Sequence, residues 1–598
     1  MRLSTIKIEG YKRLKSIECQ FGHATFLIGP NNAGKSSVLS AINHYLLSNN
    51  KRINEEEYYS ESDEVTGERK TILNKIILIG KFKDVPIEAK TWRGFKGRIF
   101  EYDPKETSET GLSITYRKTY ELGKDVVIEI KTKEITIKAE YSNITYPKEI
   151  IEAGVPEDIV REVFEEIDKK ITPAQRGKLE YFDELWNIGT EEKWFQNPGG
   201  IPGVVLSRLP RYIIIPADMG TNEISGNGVL QKTLNELFED VRNSSDNYKQ
   251  AQKFLNDLAK ELDPSDESSQ FGKMITELNT VISNIFPESK IHAKADLSDP
   301  DKSLKPTFKV ELSSNIKTSV DNQGAGMIRS AVFGILRFRQ KWLSQRGDRE
   351  CARSVIIGFE EPEIYLHPSA ANQMRDTIYE LSSDNSQIIA TTHSPYLIDL
   401  SRKPKQVLNR FSHNGNSILV EPFNVTDKFI ELQGNDKSYV KMIMKIDDYI
   451  SRVFFTKRIV IVEGDTEEIV IRETLRRLDK EKRLAILSKM EVVRARGKAS
   501  IIGLSKYLKS FGINIFVIHD RDKGVEKAEI FNKHISDVVG EDNVIQLEEC
   551  IEYVLGYTAP KAEKPYTAYN TVNGWGDEWT DIPEKWRKVV EKAFEIEY

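Results

Sequence analysis

The sequence reads as an α/β protein of several domains, and three patterns carry that reading. The loop Gly29-Pro30-Asn31-Asn32-Ala33-Gly34-Lys35-Ser36 joins the apolar run Ala24-Thr25-Phe26-Leu27-Ile28 to a helical pattern. A distant apolar run, Val355-Ile356-Ile357-Gly358-Phe359, ends in the adjacent carboxylates Glu360 and Glu361. Two later runs, Ile459 to Val462 and Ile515 to Ile518, end in Glu463 and in Asp520-Arg521-Asp522. Each run reads as a buried strand that delivers polar groups at its C-terminal end. Several carboxylates converging in one small α/β domain are what magnesium-dependent phosphodiester chemistry requires.

At 598 residues the chain has length for three or four domains with sizeable cores. Its formal net charge is -6, so the total does not announce a nucleic-acid partner, although it says little about one groove. Cys19, Cys351 and Cys550 are widely separated and lack metal-ligand spacing, which excludes a zinc site and fits reduced thiols. The start, Met1 to Ile8, alternates like a strand and is unlike a signal peptide. No apolar run approaches the roughly 20 residues that cross a bilayer. A soluble cytoplasmic protein with no membrane partner is expected.

The elements follow in order. Ile6 to Ile28 predicts two or three strands, and Val38, Leu39, Ile42 and Leu46 share one face of the following helix. Residues 70–147 are rich in Ile, Val, Thr and Tyr between charged turns, which predicts antiparallel sheet. Residues 148–290 change to helical spacing, interrupted by Tyr212-Ile213-Ile214-Ile215-Pro216, which belongs with the central sheet. Strands and helices alternate over 291–445. A further α/β unit occupies 456–550, and the tail carries Trp575, Trp579, Trp586 and a final amphipathic helix. Four segments are therefore predicted: 1–147, 148–290, 291–445 and 446–598.

The first loop matches the phosphate-binding pattern G-x-x-x-x-G-K-[ST] in its required strand-loop-helix context. Asn31, Asn32, Gly34, Lys35, Ser36 and Ser37 are the expected ATP contacts. Lys35 would reach the β- and γ-phosphates and Ser36 would ligate Mg2+. Glu360 would hold that ion, Glu361 would polarise the attacking water, and His393, ending Gln387 to Thr392, would sense the γ-phosphate. At the C-terminal pair, Glu463, Asp520 and Asp522 would bind one divalent ion, and Glu467 with a shared carboxylate a second. His519 is expected to pack against its sheet. Arg472, Arg476, Arg477, Arg494, Arg496 and Lys498 are candidates for a path along a phosphate backbone.

The loop, Glu360-Glu361-Pro362-Glu363 with Leu366-His367-Pro368, and Thr392-His393-Ser394-Pro395 resemble ABC-type ATPases of the SMC and RecF kind. Asn322-Gln323-Gly324-Ala325-Gly326-Met327 resembles their signature, which implies that Gly324 and Gly326 meet the ATP of a second subunit. Glu463-Gly464 and Asp520-x-Asp522 resemble the Toprim fold. The combination resembles the OLD (overcoming lysogenization defect) nucleases, whose Glu-Gly-x-x-Glu pattern is matched by Glu463, Gly464 and Glu467. The resemblance makes Lys564, in Lys564-Pro565, a basic catalytic residue. It also makes Leu547 to Glu552 an acidic element in which Glu552 is the first choice of metal ligand.

The resemblance thus implies an ABC-type ATPase head with a helical, dimerising insertion, followed by a Toprim domain. It implies an ATP-regulated DNA endonuclease in antiphage defence that uses Mg2+, with Mn2+ or Ca2+ as alternatives at the nuclease site. A homodimer or homotetramer is expected, with a helicase-like protein or an RNA as a further partner. Two alternatives stand beside it: a Toprim ribonuclease acting, for example, on transfer RNA, and an ATP-driven nucleic-acid clamp without nuclease activity.

Overall fold

A computed structural model describes residues 1–47, 52–62, 69–91, 95, 98–104, 109–164, 166–196, 208–217, 311–313, 317–319, 324–346, 354–364, 366–383, 385–402, 404–415, 417–447 and 450–596, with scattered positions between 233 and 280. They form two compact units, Met1–Ala217 with Arg353–Tyr598, and Asp218–Ala352.

The first unit begins with β1 (Arg2–Tyr11), β2 (Leu14–Gln20), β3 (Ala24–Ile28) and helix α1 (Lys35–Leu46). β4 (Lys75–Lys83), β5 (Leu112–Glu121), β6 (Val127–Ile137) and β7 (Trp186–Gln196) follow. They make an antiparallel sheet in the order β7-β6-β5-β4-β1-β2. Alternation along β4 and β5 turns Ile76, Leu78, Phe82, Ile114, Tyr116 and Tyr120 inward, onto Val38, Leu39, Ile42 and Tyr45 of α1. The antiparallel expectation for 70–147 agrees with this sheet.

β8 (Arg211–Ile215), β9 (Val355–Glu360), β10 (Ser386–Thr391), β11 (Gln406–Asn414) and β12 (Ser417–Phe423) join β3 in a second sheet. Its order is β8-β9-β10-β3-β11-β12, parallel except for the β11–β12 hairpin. β3 and β10 are buried at every residue, as strands covered on both faces should be. Tyr212 joins this sheet to α1 by donating to the Leu39 carbonyl at 3.0 Å. The phosphate-loop strand, the His393 strand and the Glu360 strand are thereby neighbours, with the loop and carboxylates at one edge.

Helix α2 (Gly434–Ile446) leads to a third sheet of β13 (Arg458–Val462), β14 (Met490–Arg494), β15 (Asn514–Asp520) and β16 (Val544–Leu547). The order is β14-β13-β15-β16, all parallel. Helices α3 (Asp465–Arg476), α4 (Lys498–Lys509), α5 (Ile551–Val554), α6 (Lys564–Asn573) and α7 (Glu584–Phe594), with the helices Lys480–Leu487 and Glu526–Val539, surround this sheet. Trp579 and Trp586 are buried among Val470, Leu475 and Val572, so the tail is part of the domain's core.

The two parallel sheets are tied through α2 and α4. Lys506 of α4 pairs with Asp436 of α2 at 2.6 Å, and Tyr507 donates to the Val425 carbonyl at 3.2 Å. Phe423, Phe454, Phe511 and Tyr507 form an aromatic cluster with centroid separations of 5.0–5.6 Å.

The helical expectation for 148–290 needs correction. Lys148–Glu152 and Glu157–Val163 are short helices, but Trp186–Gln196 is a strand paired with β6. Its charged residues serve cross-strand pairing: Glu192 meets Lys131, and Lys193 lies 3.8 Å from Glu134. The expected helical pattern over Leu234 to Leu262 lies mostly outside the described residues. In the second unit a hairpin pairs Glu311–Ser313 with Lys317–Ser319, and a helix spans Ala325–Arg346. Among the described residues no helix is long and apolar enough to cross a membrane.

Candidate active sites

The phosphate loop owes its shape to three left-handed positions: Gly29, Asn32 and Gly34, with φ of 140°, 60° and 84°. A Cβ on Gly34 would stand 2.6 Å from Leu14, so this position needs glycine twice over. Lys35 follows as the first residue of α1, and its ammonium donates to the carbonyls of Gly29 and Pro30 at 3.0 and 2.8 Å. Burial lowers the Lys35 pKa, while Glu361 and Glu363 oppose that shift. Asn31, Asn32 and Ser36 are exposed at the mouth of the loop, with Ser37 half-buried behind them.

Glu361 sits just beyond β9 at φ 42°, a conformation sterically costly for a non-glycine residue. Its amide is held by the Thr391 carbonyl and hydroxyl at 3.0 and 3.1 Å. Its carboxylate lies 3.7 Å from His393 Nε2. Burial lowers the His393 pKa, Lys35 lowers it further and Glu361 opposes them. Glu360 accepts from the Ala217 amide at 3.3 Å. Glu363 was quoted in the sequence only as part of a turn. It accepts from the Thr392 hydroxyl at 2.6 Å and the His393 amide at 3.1 Å, tying the carboxylate turn to the histidine loop. Asn322 and Gln323 lie outside the described residues. Gly324 is exposed just ahead of the helix Ala325–Arg346, and Gly326 falls in its first turn.

In the third sheet the register sets Val462 opposite both Arg494 and Ile518, so Glu463 and Asp520 emerge at one edge. Glu467, in the first turn of α3, is buried and accepts from the Gly464 amide at 2.9 Å. Glu552, in α5, is 1% exposed and faces Lys564 at 3.4 Å, while Glu548 and Glu549 are exposed. Lys564 opens α6, and its neighbour Glu563 takes φ 55°.

Electrostatics records the crowding. Burial and the neighbouring carboxylates Glu467, Glu463, Asp522 and Glu552 push Asp520 up to about 8. Burial, with Glu467 and Asp522 and against Lys498, pushes Glu463 up to about 7. Burial also raises Glu467, with Glu552 contributing. Burial would lower Lys564, but attraction and hydrogen bonding from Glu552 outweigh it and raise its pKa.

The expected two-ion ligand set is not preformed. Among the described residues no group of three or more His, Cys, Asp or Glu side chains makes a ready cation site. Like charges at this density repel, and several carboxylates turn to nearby donors: Glu467 to an amide, Asp522 to Lys498 at 2.6 Å, and Glu552 to Lys564. Yet Glu463 Oε2, Asp520 Oδ1 and Glu552 Oε2 are buried without any hydrogen-bond partner. Unsatisfied carboxyl oxygens buried in one centre are costly, and a divalent cation is one group that would satisfy them. Those oxygens leave acceptor positions that a cation such as Mg2+ would take up.

Several surrounding residues are tied into the domain itself. Arg494 is held by Asp465 and Glu468, Arg472 by Glu468, and Arg477 by the carbonyls of Glu473, Val572 and Gly576. These guanidinium groups secure α3 and the tail, while Arg476 and Arg496 are exposed. His519 is fully buried with Nδ1 2.8 Å from the Asp520 carbonyl oxygen, and burial pushes its pKa down to about 4. It packs inside the domain, as alternation along the strand predicts. Lys498, a candidate for the nucleic-acid path, lies inside the carboxylate centre, paired with Asp522.

A phosphate loop, a Glu-Glu strand end and a histidine strand on one parallel sheet define an ATPase, and the third sheet adds a Toprim-like domain. Residues 1–398 match the AAA ATPase domain family, and residues 454–522 match the overcoming lysogenization defect protein-like TOPRIM domain. The chain belongs to the AAA ATPase domain family and joins that domain to a Toprim domain of the OLD type. It is 22% identical to the Old nuclease of Escherichia phage P2 over 62% of this chain and 65% of that protein. It is 26% identical to the OLD nuclease of Thermus scotoductus over 56% of this chain and 64% of that one. Endonuclease GajA of Bacillus cereus is 26% identical over 20% of this chain and 19% of its own. The chain thus spans just under two thirds of the length of the two longer-matching relatives. Among solved structures, an SMC head bound to the C-terminal winged-helix domain of ScpA matches at 13% identity and a TM-score of 0.34. That match covers 71% of this chain and 99% of the other, and at such a score it carries no weight.

Proposed function

We propose that the protein is an ATP-regulated, divalent-metal-dependent DNA endonuclease of antiphage defence, working as a homo-oligomer of ATPase heads. The observation that carries this reading is the set of buried, unpartnered oxygens on Glu463, Asp520 and Glu552 at the edge of a parallel sheet. Those residues, with Glu467, would hold Mg2+, which supplies activation of water and charge neutralisation at the phosphodiester when bound, while Asp522 is paired with Lys498 at 2.6 Å. Lys564 is half exposed beside Glu552, where it meets negative charge gathering on the phosphate or leaving oxygen. Lys35, Glu361 and His393 act on ATP in the other parallel sheet, and Gly324 and Gly326 close over the nucleotide of a second subunit. The domain division 1–147, 148–290, 291–445 and 446–598 belongs to this reading, with the middle segment, apart from its strands Trp186–Gln196 and Arg211–Ile215, as its dimerising element. Phosphodiester cleavage at the carboxylates needs no ATP, so nucleotide acts as a gate. The packing of α2 on α4 gives that gate a physical contact.

The test is a cleavage panel of supercoiled plasmid, linear duplex and RNA with Mg2+ or Mn2+, each with and without ATP. The parent is expected to cut DNA, Asp520→Ala to lose cleavage but keep ATP turnover, and Lys35→Ala to lose turnover. Cleavage of RNA alone would move the substrate to RNA. Cleavage undiminished in Asp520→Ala would remove the nuclease assignment.

A further inference from the structure

Lys498 occupies a place that three physical costs argue against. It is the first residue of α4, where the helix dipole disfavours a cation. Only 6% of its side chain is exposed, so its ammonium has left most of its water. The backbone reaches it through two successive positive φ angles, 58° at Arg496 and 116° at Gly497. A Cβ on Gly497 would meet nothing within 4 Å, so backbone conformation alone requires that glycine.

Asp522, the partner at 2.6 Å, is strained as well, with φ 49° and its amide donating to the Glu549 carbonyl at 3.1 Å. The Gly497 amide in turn donates to the Glu463 carbonyl at 3.0 Å, fixing the turn to the end of β13. Two strained turns, on α4 and after β15, thus converge on one ion pair. Lys564 serves a different carboxylate, Glu552. The unpartnered oxygens of Glu463, Asp520 and Glu552 are bonded to neither ammonium.

We propose that Lys498 is a built-in cation of the carboxylate centre: it holds Asp522 in the place of a second divalent ion, so the chain without nucleic acid takes one. Lys498 is on this view a positioning residue, with Glu463, Asp520 and Glu552 left for the single ion. This inference rests on the carboxylate centre proposed above and goes beyond it in fixing the ion count.

The experiment is calorimetric titration of Mn2+ into the full chain without nucleotide or nucleic acid, alongside Lys498→Met, Asp522→Asn and Asp520→Ala, each with a melting curve. The parent is expected to bind about one Mn2+ per chain. Lys498→Met is expected to bind two, or one at least tenfold tighter, while its cleavage rate falls. Asp522→Asn is expected to keep one ion within about threefold of the parent affinity, and it decides the matter if Lys498→Met does not fold. Two ions in the parent, unchanged binding in Lys498→Met, or loss of the ion in Asp522→Asn would each overturn the proposal. If the parent binds no Mn2+, the carboxylate centre itself falls, and this inference with it.

Discussion

The Ser451 hydroxyl donates a 2.5 Å hydrogen bond to the Pro395 carbonyl, two residues beyond His393. Ser451 is fully buried, in the 3-10 turn Ile450–Phe455 that leads into β13. Its neighbour Arg452 donates to the Val492 carbonyl at 3.1 Å and lies 3.3 Å from Glu491. One turn therefore grips the loop after the ATPase histidine and the strand that runs toward Lys498.

Ser451→Ala removes that grip without touching either centre. A net hydrogen bond is worth about 0.5–1.5 kcal/mol, or roughly a 2- to 10-fold change in an equilibrium. ATP turnover and nucleotide-free cleavage should stay within about twofold of the parent. The ratio of cleavage with ATP to cleavage without it should move toward one by about threefold or more. Parallel assays with and without ATP measure this directly, and an unchanged ratio would place the coupling elsewhere.

Glu363 is the second residue whose effect should exceed its distance from the chemistry. It accepts from the Thr392 hydroxyl and the His393 amide, and burial raises its pKa. Hydrogen bonds to a charged acceptor are worth about 1.5–3 kcal/mol. Glu363→Ala should lower kcat for ATP by roughly 10- to 100-fold, with ATP affinity within about threefold, because the histidine loop loses its anchor. Glu363→Gln, which keeps an acceptor there, should fall between. Equal loss of kcat and affinity would mean that Glu363 supports the nucleotide pocket as a whole.

Lys118 provides a pH test of the ATPase core. It rises from β5 to donate to the carbonyls of His44 and Leu47 at 3.1 and 2.5 Å, capping the C-terminal end of α1. Burial draws its pKa down to about 7, whereas an unfolded lysine titrates near about 10.4. Between those values the unfolded chain binds more protons, so stability rises with pH, and below pH 7 the burial cost is present in full. The melting temperature of the parent, relative to Lys118→Met, should climb from pH 7 to 10 and be flat from 6 to 7. A flat difference throughout would show that Lys118 keeps its charge in the fold.

What was legible in the sequence was local. Strand, turn and helix lie within a few residues of one another at Gly29 to Ser36 and at Glu463 to Glu467, so pattern alone marks both. The Tyr212 run reads as part of the central sheet because its apolar residues are contiguous, and it forms the edge strand beside β9. Trp186–Gln196 was missed because its charged residues resemble a helical surface, and only pairing with β6 gives them partners. The pairing of Lys498 is illegible for a similar reason. Its partner Asp522 is 24 residues away, and a parallel register brings the pair together. Nothing in the spacing showed which of Glu548, Glu549 and Glu552 turns inward. Glu552 is buried in α5, whereas Glu548 and Glu549 are exposed ahead of it.

The tail carries the last expectation. Trp586 is fully buried in α7 and donates to the Thr474 hydroxyl on α3, the helix that presents Glu467, at 2.8 Å. Trp586→Ala should cost about 3–5 kcal/mol through the cavity it leaves. Trp586→Phe keeps most of the bulk and loses the N–H bond, for a smaller cost of about 1–2 kcal/mol. Because the cavity opens beneath α3, metal-dependent cleavage should fall in Trp586→Ala while binding of a fluorescent ATP analogue persists. Urea unfolding followed by tryptophan fluorescence, with the cleavage and ATP-analogue binding assays at low urea, separates these effects. Parent-like unfolding of the alanine variant would show that α7 lies on the domain without supporting it.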